Sequence, residues 1–149
     1  MIQWGYKAQR FYNRFRKPLT LGSRALVVRE DHVLLVRLTY QKGWFLPGGG
    51  VDKGETFYSA VLRELGEECG IQSENPRLFG IYLNRKEHKV DHVAVYVVDK
   101  FSGEPRCQDA DEIAEVQFFP MDNLPRDIWQ GHRRRIEEYT GKRAIEHVW

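Results

Sequence analysis

A chain of 149 residues, 42% hydrophobic and 30% charged with a net charge of +2, fits one folded domain and falls short of the length at which chains usually split. No apolar run approaches the roughly 18–20 residues of a membrane span, and the start, Met1-Ile2-Gln3-Trp4, lacks the apolar stretch of a secretory signal. Two cysteines, Cys69 and Cys107, make neither a disulfide framework nor a zinc cluster, so a cytoplasmic protein is expected.

The charge is uneven. Lys7, Arg10, Arg14, Arg16, Lys17, Arg24 and Arg29 stand in the first 29 residues without one Asp or Glu, leaving the rest mildly acidic. Trp4, Ala8, Phe11, Tyr12 and Phe15 recur at helical spacing until Pro18, which predicts a basic amphipathic helix over about residues 3–16. This sets segment 1–17 apart from a domain over 18–149. Its aromatic stripe can dock on that domain or on a second subunit, giving a homodimer. A membrane-surface or nucleic-acid arm is the other reading, and nothing else in the chain supports it.

Ala25–Val28 and Val33–Leu38 are expected strands, joined by a short turn at Glu30-Asp31. Gly43 to Gly50 reads as a loop. Residues 56–69 have helical periodicity and end at Gly70, the usual C-terminal capping position. Leu78–Leu83, Val90–Phe101 and Val116–Phe119 are further expected strands. Asp127–Thr140 is a closing helix with Ile128, Trp129, Ile136 and Tyr139 inward and the run His132-Arg133-Arg134-Arg135 in solvent. Strands on both sides of one long helix predict an α/β sandwich with a mixed β-sheet. His88 and His92 flank a strand start and make poor ligands, while Cys69 reads as helix packing and Cys107 as loop.

The chemistry concentrates in residues 48–71. On the central helix Glu64, Glu67 and Glu68 share an arc of about 100°, beside an apolar arc of Phe57, Val61, Leu65 and Cys69. Like charges at these spacings cost a helix a few tenths of a kcal/mol per pair. A solvated charged face is one reading of them; a bound cation is the other. Arg63 can hold one carboxylate in a bidentate pair, Glu55 lies at the mouth of the same helix, and the triple glycine can turn a backbone carbonyl toward the same point. Such a set of hard oxygen donors selects Mg²⁺ or Mn²⁺.

Gly49, five residues, Glu55, seven residues and then Arg63-Glu64-Leu65-Gly66-Glu67-Glu68-Cys69-Gly70-Ile71 fill every fixed position of Gx5Ex7REUxEExGU, where U is aliphatic. This resembles the signature of the Nudix hydrolases, and with the flanking elements the resemblance covers roughly residues 20–140. It implies an α/β/α sandwich that hydrolyses a nucleoside diphosphate linked to another group. It further implies that Glu64, Glu67, Glu68 and the Gly48 carbonyl bind metal, that Arg63 orients the catalytic carboxylate and that Glu55 supports the site. Glu112, from the loop before the last strand, is the expected additional acid for metal and catalysis. Glu64, Glu67 and Glu112 all remain candidate bases.

Arg37 could contact a substrate phosphate, and Trp44 and Phe45 could stack on a base. For each the plainer alternative is a solvent-facing arginine or an aromatic at the edge of the core. No proline lies about fifteen residues past Ile71, where ADP-ribose-type members tend to carry one, and the loop reads Leu-Pro-Gly-Gly-Gly. The compact chain is similar to small members that cleave nucleoside triphosphates. A non-catalytic, nucleotide-sensing module is the remaining alternative.

Overall fold

A computed structural model of the chain describes residues 18–86 and 89–149; the expected helix over 3–16 and His88 lie outside the described residues. Strand β1, Leu19–Arg29, runs through the centre of a six-stranded sheet. Its apolar stretch Ala25-Leu26-Val27-Val28 is buried on both faces, as a strand covered from two sides must be. A tight turn at Glu30-Asp31, with Glu30 at φ 55°, joins it to β2, His32–Leu38. The start of β1 pairs instead with β3, the short strand Gly48–Gly50, in the register Gly22 to Gly50 and Arg24 to Gly48. Beyond these lie β4, Arg77–Arg85, β5, Val90–Val98, and β6, Ile113–Pro120. The order is β4-β5-β1-β2-β6, with β1 and β5 parallel and the other pairs antiparallel, so the sheet is mixed as expected.

Alternate residues of β1 point to opposite faces. Ala25 and Val27 join Val61, Leu65 and Cys69 in one core cluster; Leu26 and Val28 join Ile128 and Ile136 in a second. The sheet is thereby sandwiched between helix α1, Phe57–Glu64, and helix α2, Gln130–Tyr139. Each aliphatic side chain so enclosed contributes roughly 1.5–3 kcal/mol. Among the described residues no helix is long and apolar enough to cross a membrane.

The central helix departs from regularity where its acids stand. Thr56 caps it, exchanging hydrogen bonds with Ser59, and α1 is regular to Glu64. Leu65–Cys69 then form a wider π-turn that ends at Gly70, whose φ of 66° favours glycine.

Helix α2 overturns the expected orientation of its basic run. His132 and Arg135 are buried, whereas Trp129 is 48% exposed and stands before the first helical residue. Arg135 lies 4.0 Å over the Tyr82 ring and donates to Glu138 Oε1 at 2.9 Å, and the Tyr82 hydroxyl donates to Glu138 Oε2 at 2.8 Å. A charge run counts as wet only while its charges lack buried partners; here an acid three residues on and a tyrosine of β4 supply them.

Candidate active site

Strand β3 and the π-turn bring the box residues together. The Gly48 N–H donates to Glu68 Oε2 at 3.0 Å, and Gly48 itself, at φ 137°, lies so close to the backbone of Ser23 and Arg24 that no side chain fits there. Glu68 is buried, and that burial pushes its carboxyl up to about 8. The charges of Glu64 and Glu112 push the same way, which places Glu112 within electrostatic reach of Glu68. Glu112 also accepts from the Tyr40 hydroxyl at 3.4 Å. Glu64, half-buried against Gly49, is raised by burial too, with Arg63 opposing.

Arg63 ties the parts to one another. Its Nε and one terminal nitrogen grip both oxygens of Glu55 at 2.8 and 2.9 Å. The other terminal nitrogen reaches Glu64 at 3.0 Å and Glu67 at 3.1 Å, while the one on Glu55 also donates to the Gly50 carbonyl at 3.0 Å. Glu55, held by Arg63 and by the Asp52 N–H, stays below the usual carboxylate range.

Among the described residues no three His, Cys, Asp or Glu side chains converge into a ready metal cage, because Glu64 and Glu67 turn toward Arg63 and Glu68 toward Gly48. The donor set nevertheless fits a hard divalent cation: its carboxylates and carbonyl are all oxygen, and Glu64 and Glu68 are raised by burial first and by neighbouring carboxylates after it, a repulsion that a cation would relieve.

Next to this set, the glycine loop lines a cleft of about 1300 Å³ that runs from Gly49, Gly50 and Lys53 to Phe45, Trp129, His132 and Trp149. A separate hollow of about 900 Å³, walled by Arg29, Asp99 and Glu104, holds none of the box residues.

Two expected substrate contacts do not line this cleft. Trp44 is buried in the second core cluster, edge-on to Phe119, so neither face is open to a base. Arg37 stacks 4.6 Å over that ring and is paired with Asp127 at 3.2 Å and Glu115 at 3.6 Å. Phe45 does line the cleft, but Trp129 stacks on it at 5.7 Å. Trp129 is therefore the exposed ring on that wall, its Nε1–H already donated to the Lys42 carbonyl.

Arg24 is the residue that composition hid. It counts in sequence as part of the basic N-terminal stretch, yet in β1 it lines the cleft and donates to the carbonyls of Leu46 and Gly48 at 3.0 and 2.9 Å. The Gly48 carbonyl is thus engaged by a cation.

The NUDIX domain matches residues 18–139. The chain belongs to the NUDIX family. It is 33% identical over 119 residues to the ADP-ribose pyrophosphatase of Methanocaldococcus jannaschii, a match spanning 76% of this chain and 69% of that protein. It is 27% identical over 145 residues to the NAD-capped RNA hydrolase NudC of Edwardsiella ictaluri, covering 93% of this chain and 53% of the relative. The crystal structure of the MutT NUDIX hydrolase from Burkholderia pseudomallei superposes with a TM-score of 0.75 at 31% identity, over 80% of this chain and 97% of that one. The Nudix membership makes this chain a pyrophosphohydrolase acting on acid anhydrides, and Nudix enzymes generally need a divalent metal.

Proposed function

We propose that this Nudix hydrolase cleaves the pyrophosphate bond of a nucleoside diphosphate linked to a further group, with Mg²⁺ as its ion and Mn²⁺ as a substitute. The observation that carries the reading is the single guanidinium of Arg63 engaging Glu55, Glu64, Glu67 and the Gly50 carbonyl at once, with Gly50 itself on the wall of a cleft large enough for a nucleotide.

Glu64, Glu67, Glu68, the Gly48 carbonyl and Glu112 would hold the ions. When bound, these supply charge neutralisation of the diphosphate oxygens and make water more acidic. The chain's own residues do the rest. Arg63 restrains Glu64 and Glu67 on the side of the glycine loop, which limits the geometries those carboxylates explore. Glu64, Glu67 or Glu112 accepts the proton of the attacking water, each lying at the site on a different element or turn. The Gly48 N–H fixes Glu68. Arg24 places a fixed positive charge beside the loop, favouring an anionic substrate. Trp129 offers its apolar face to the base, the part foreseen for Trp44 and Phe45.

The first relative's name, an ADP-ribose pyrophosphatase, favours a sugar as the linked group. A nucleoside triphosphate is the second reading, favoured by the likeness at 31% identity to a MutT hydrolase structure. ADP-ribose, NAD and the nucleoside triphosphates, each incubated with Mg²⁺ or Mn²⁺ and followed by product identification, separate the two. AMP with ribose 5-phosphate supports the first; a monophosphate with pyrophosphate supports the second; no cleavage of any of them refutes the reading. The domain is taken as 18–149. A cytoplasmic homodimer joined through residues 1–17 rests on the sequence pattern, and sedimentation of the chain with and without that segment tests it.

A further inference from the structure

Residues 146–149 are anchored by groups that are costly to bury. The Leu83 N–H donates to the His147 carbonyl at 2.8 Å and the Trp149 N–H to the Leu83 carbonyl at 2.9 Å, so the segment runs parallel along β4. Arg134 donates to the Trp149 main-chain oxygen at 3.0 Å and Arg135 to the Val148 carbonyl at 3.2 Å, while the Glu146 N–H donates to Glu138 Oε1 at 3.2 Å. Arg135 and Glu138 are wholly buried side chains, and a buried ion pair is tolerated only where its remaining donors and acceptors find partners. Here some of those partners are the backbone of this segment.

The anchoring delivers one ring to the cleft. The Trp149 indole meets the rings of His132 at 4.9 Å and Tyr82 at 6.0 Å nearly at right angles, with the Arg135 guanidinium 5.1 Å over one face. Its Nε1 edge rests on Gly131, where any side chain would collide with it. Trp149 thus lines the same cleft as Trp129 and the glycine loop, with the first turn of α2 between the two tryptophans.

We propose that Trp149 is a specificity-determining residue that walls the subsite for the planar ring of the nucleoside, so that the segment after α2 selects nucleotides over diphosphates that lack a base. This rests on the nucleotide reading above. The test is calorimetric titration of the full chain with ADP and, separately, with inorganic pyrophosphate, both in Mg²⁺. Trp149→Leu fills much of the volume without an aromatic face. The expected result is ADP binding weakened by at least about fivefold with pyrophosphate binding unchanged, since stacking on an aromatic ring is worth that much or more. Trp149→Phe, which keeps a ring, should recover most of the loss. Should the leucine variant unfold, the ratio of ADP to pyrophosphate affinity in Trp149→Phe decides instead, expected to fall by about twofold. ADP affinity unchanged, or lost in equal proportion with pyrophosphate, overturns the proposal and leaves the hydrolase reading standing. A wild-type chain that binds neither probe removes both.

Discussion

The α-carbon of Gly49 faces the carboxylate of Glu64 so closely that a Cβ placed there would stand 2.5 Å from Oε1. Gly49 is not among the glycines with positive φ, so alanine is allowed by its backbone and excluded by Glu64 alone. Gly49→Ala should therefore fold, displace the carboxylate by a fraction of an ångström or more, and reduce kcat by about a hundredfold. A thermal melt and steady-state kinetics on the substrate found by product analysis check this. Wild-type turnover in the alanine variant would remove Glu64 from the working site.

Glu67→Gln separates stability from chemistry. The Glu67 side chain is 59% exposed and accepts one hydrogen bond from Arg63, so its amide should leave the melting temperature within a degree or two. A neutral amide binds Mg²⁺ poorly at a site built on charge, so turnover should fall by orders of magnitude. Kinetics across a range of Mg²⁺ concentrations are the measurement; an unchanged rate at every concentration speaks against the metal assignment.

Trp44 and Trp129 should fail in opposite ways. Trp44, buried between Phe119 and Ile128, should cost about 3–5 kcal/mol of stability when cut to alanine. Trp129, half exposed, should cost little stability on Trp129→Ala and raise KM by about fivefold or more through loss of its face. Denaturant titration and kinetics of both variants check the pair. A raised KM in the first with loss of stability in the second would reverse the roles of the two rings.

What the sequence disclosed follows from what a one-dimensional pattern can carry. The acids at positions 64, 67 and 68 and the arginine before them are local to one helix, so spacing alone places them together. The alternating strands and the turn at Glu30-Asp31 are local as well, and they appear where periodicity puts them. The inward Arg135 was not legible, because its partners Tyr82 and Val148 come from β4 and from the segment after α2. Arg24 was hidden for the same reason: its worth lies in the carbonyls of Leu46 and Gly48, more than twenty residues away. Trp44 and Trp129 exchanged roles because aromaticity is visible in a sequence and exposure is not.

His132 provides a pH test free of the active-site acids. Its Nδ1 accepts the Leu46 N–H at 3.0 Å, which requires an unprotonated nitrogen, and the ring is packed edge-on between Phe45 and Trp149. Burial, with Arg24 and Arg135 nearby, holds it well below its ordinary value of 6.5. Above that value the imidazole is neutral in both folded and unfolded chains and contributes no pH dependence. Below it the unfolded chain takes up a proton that the folded chain refuses, so stability must fall as pH falls, by up to about 1.4 kcal/mol per pH unit from this residue. In His132→Asn the side-chain oxygen can accept the same N–H without titrating. Urea unfolding of both proteins between pH 7.5 and 5 should show the wild type losing stability faster than the variant over the acidic part of that range. Parallel curves would mean that His132 protonates as readily folded as unfolded, and the hydrogen bond from Leu46 could not then be what holds the ring.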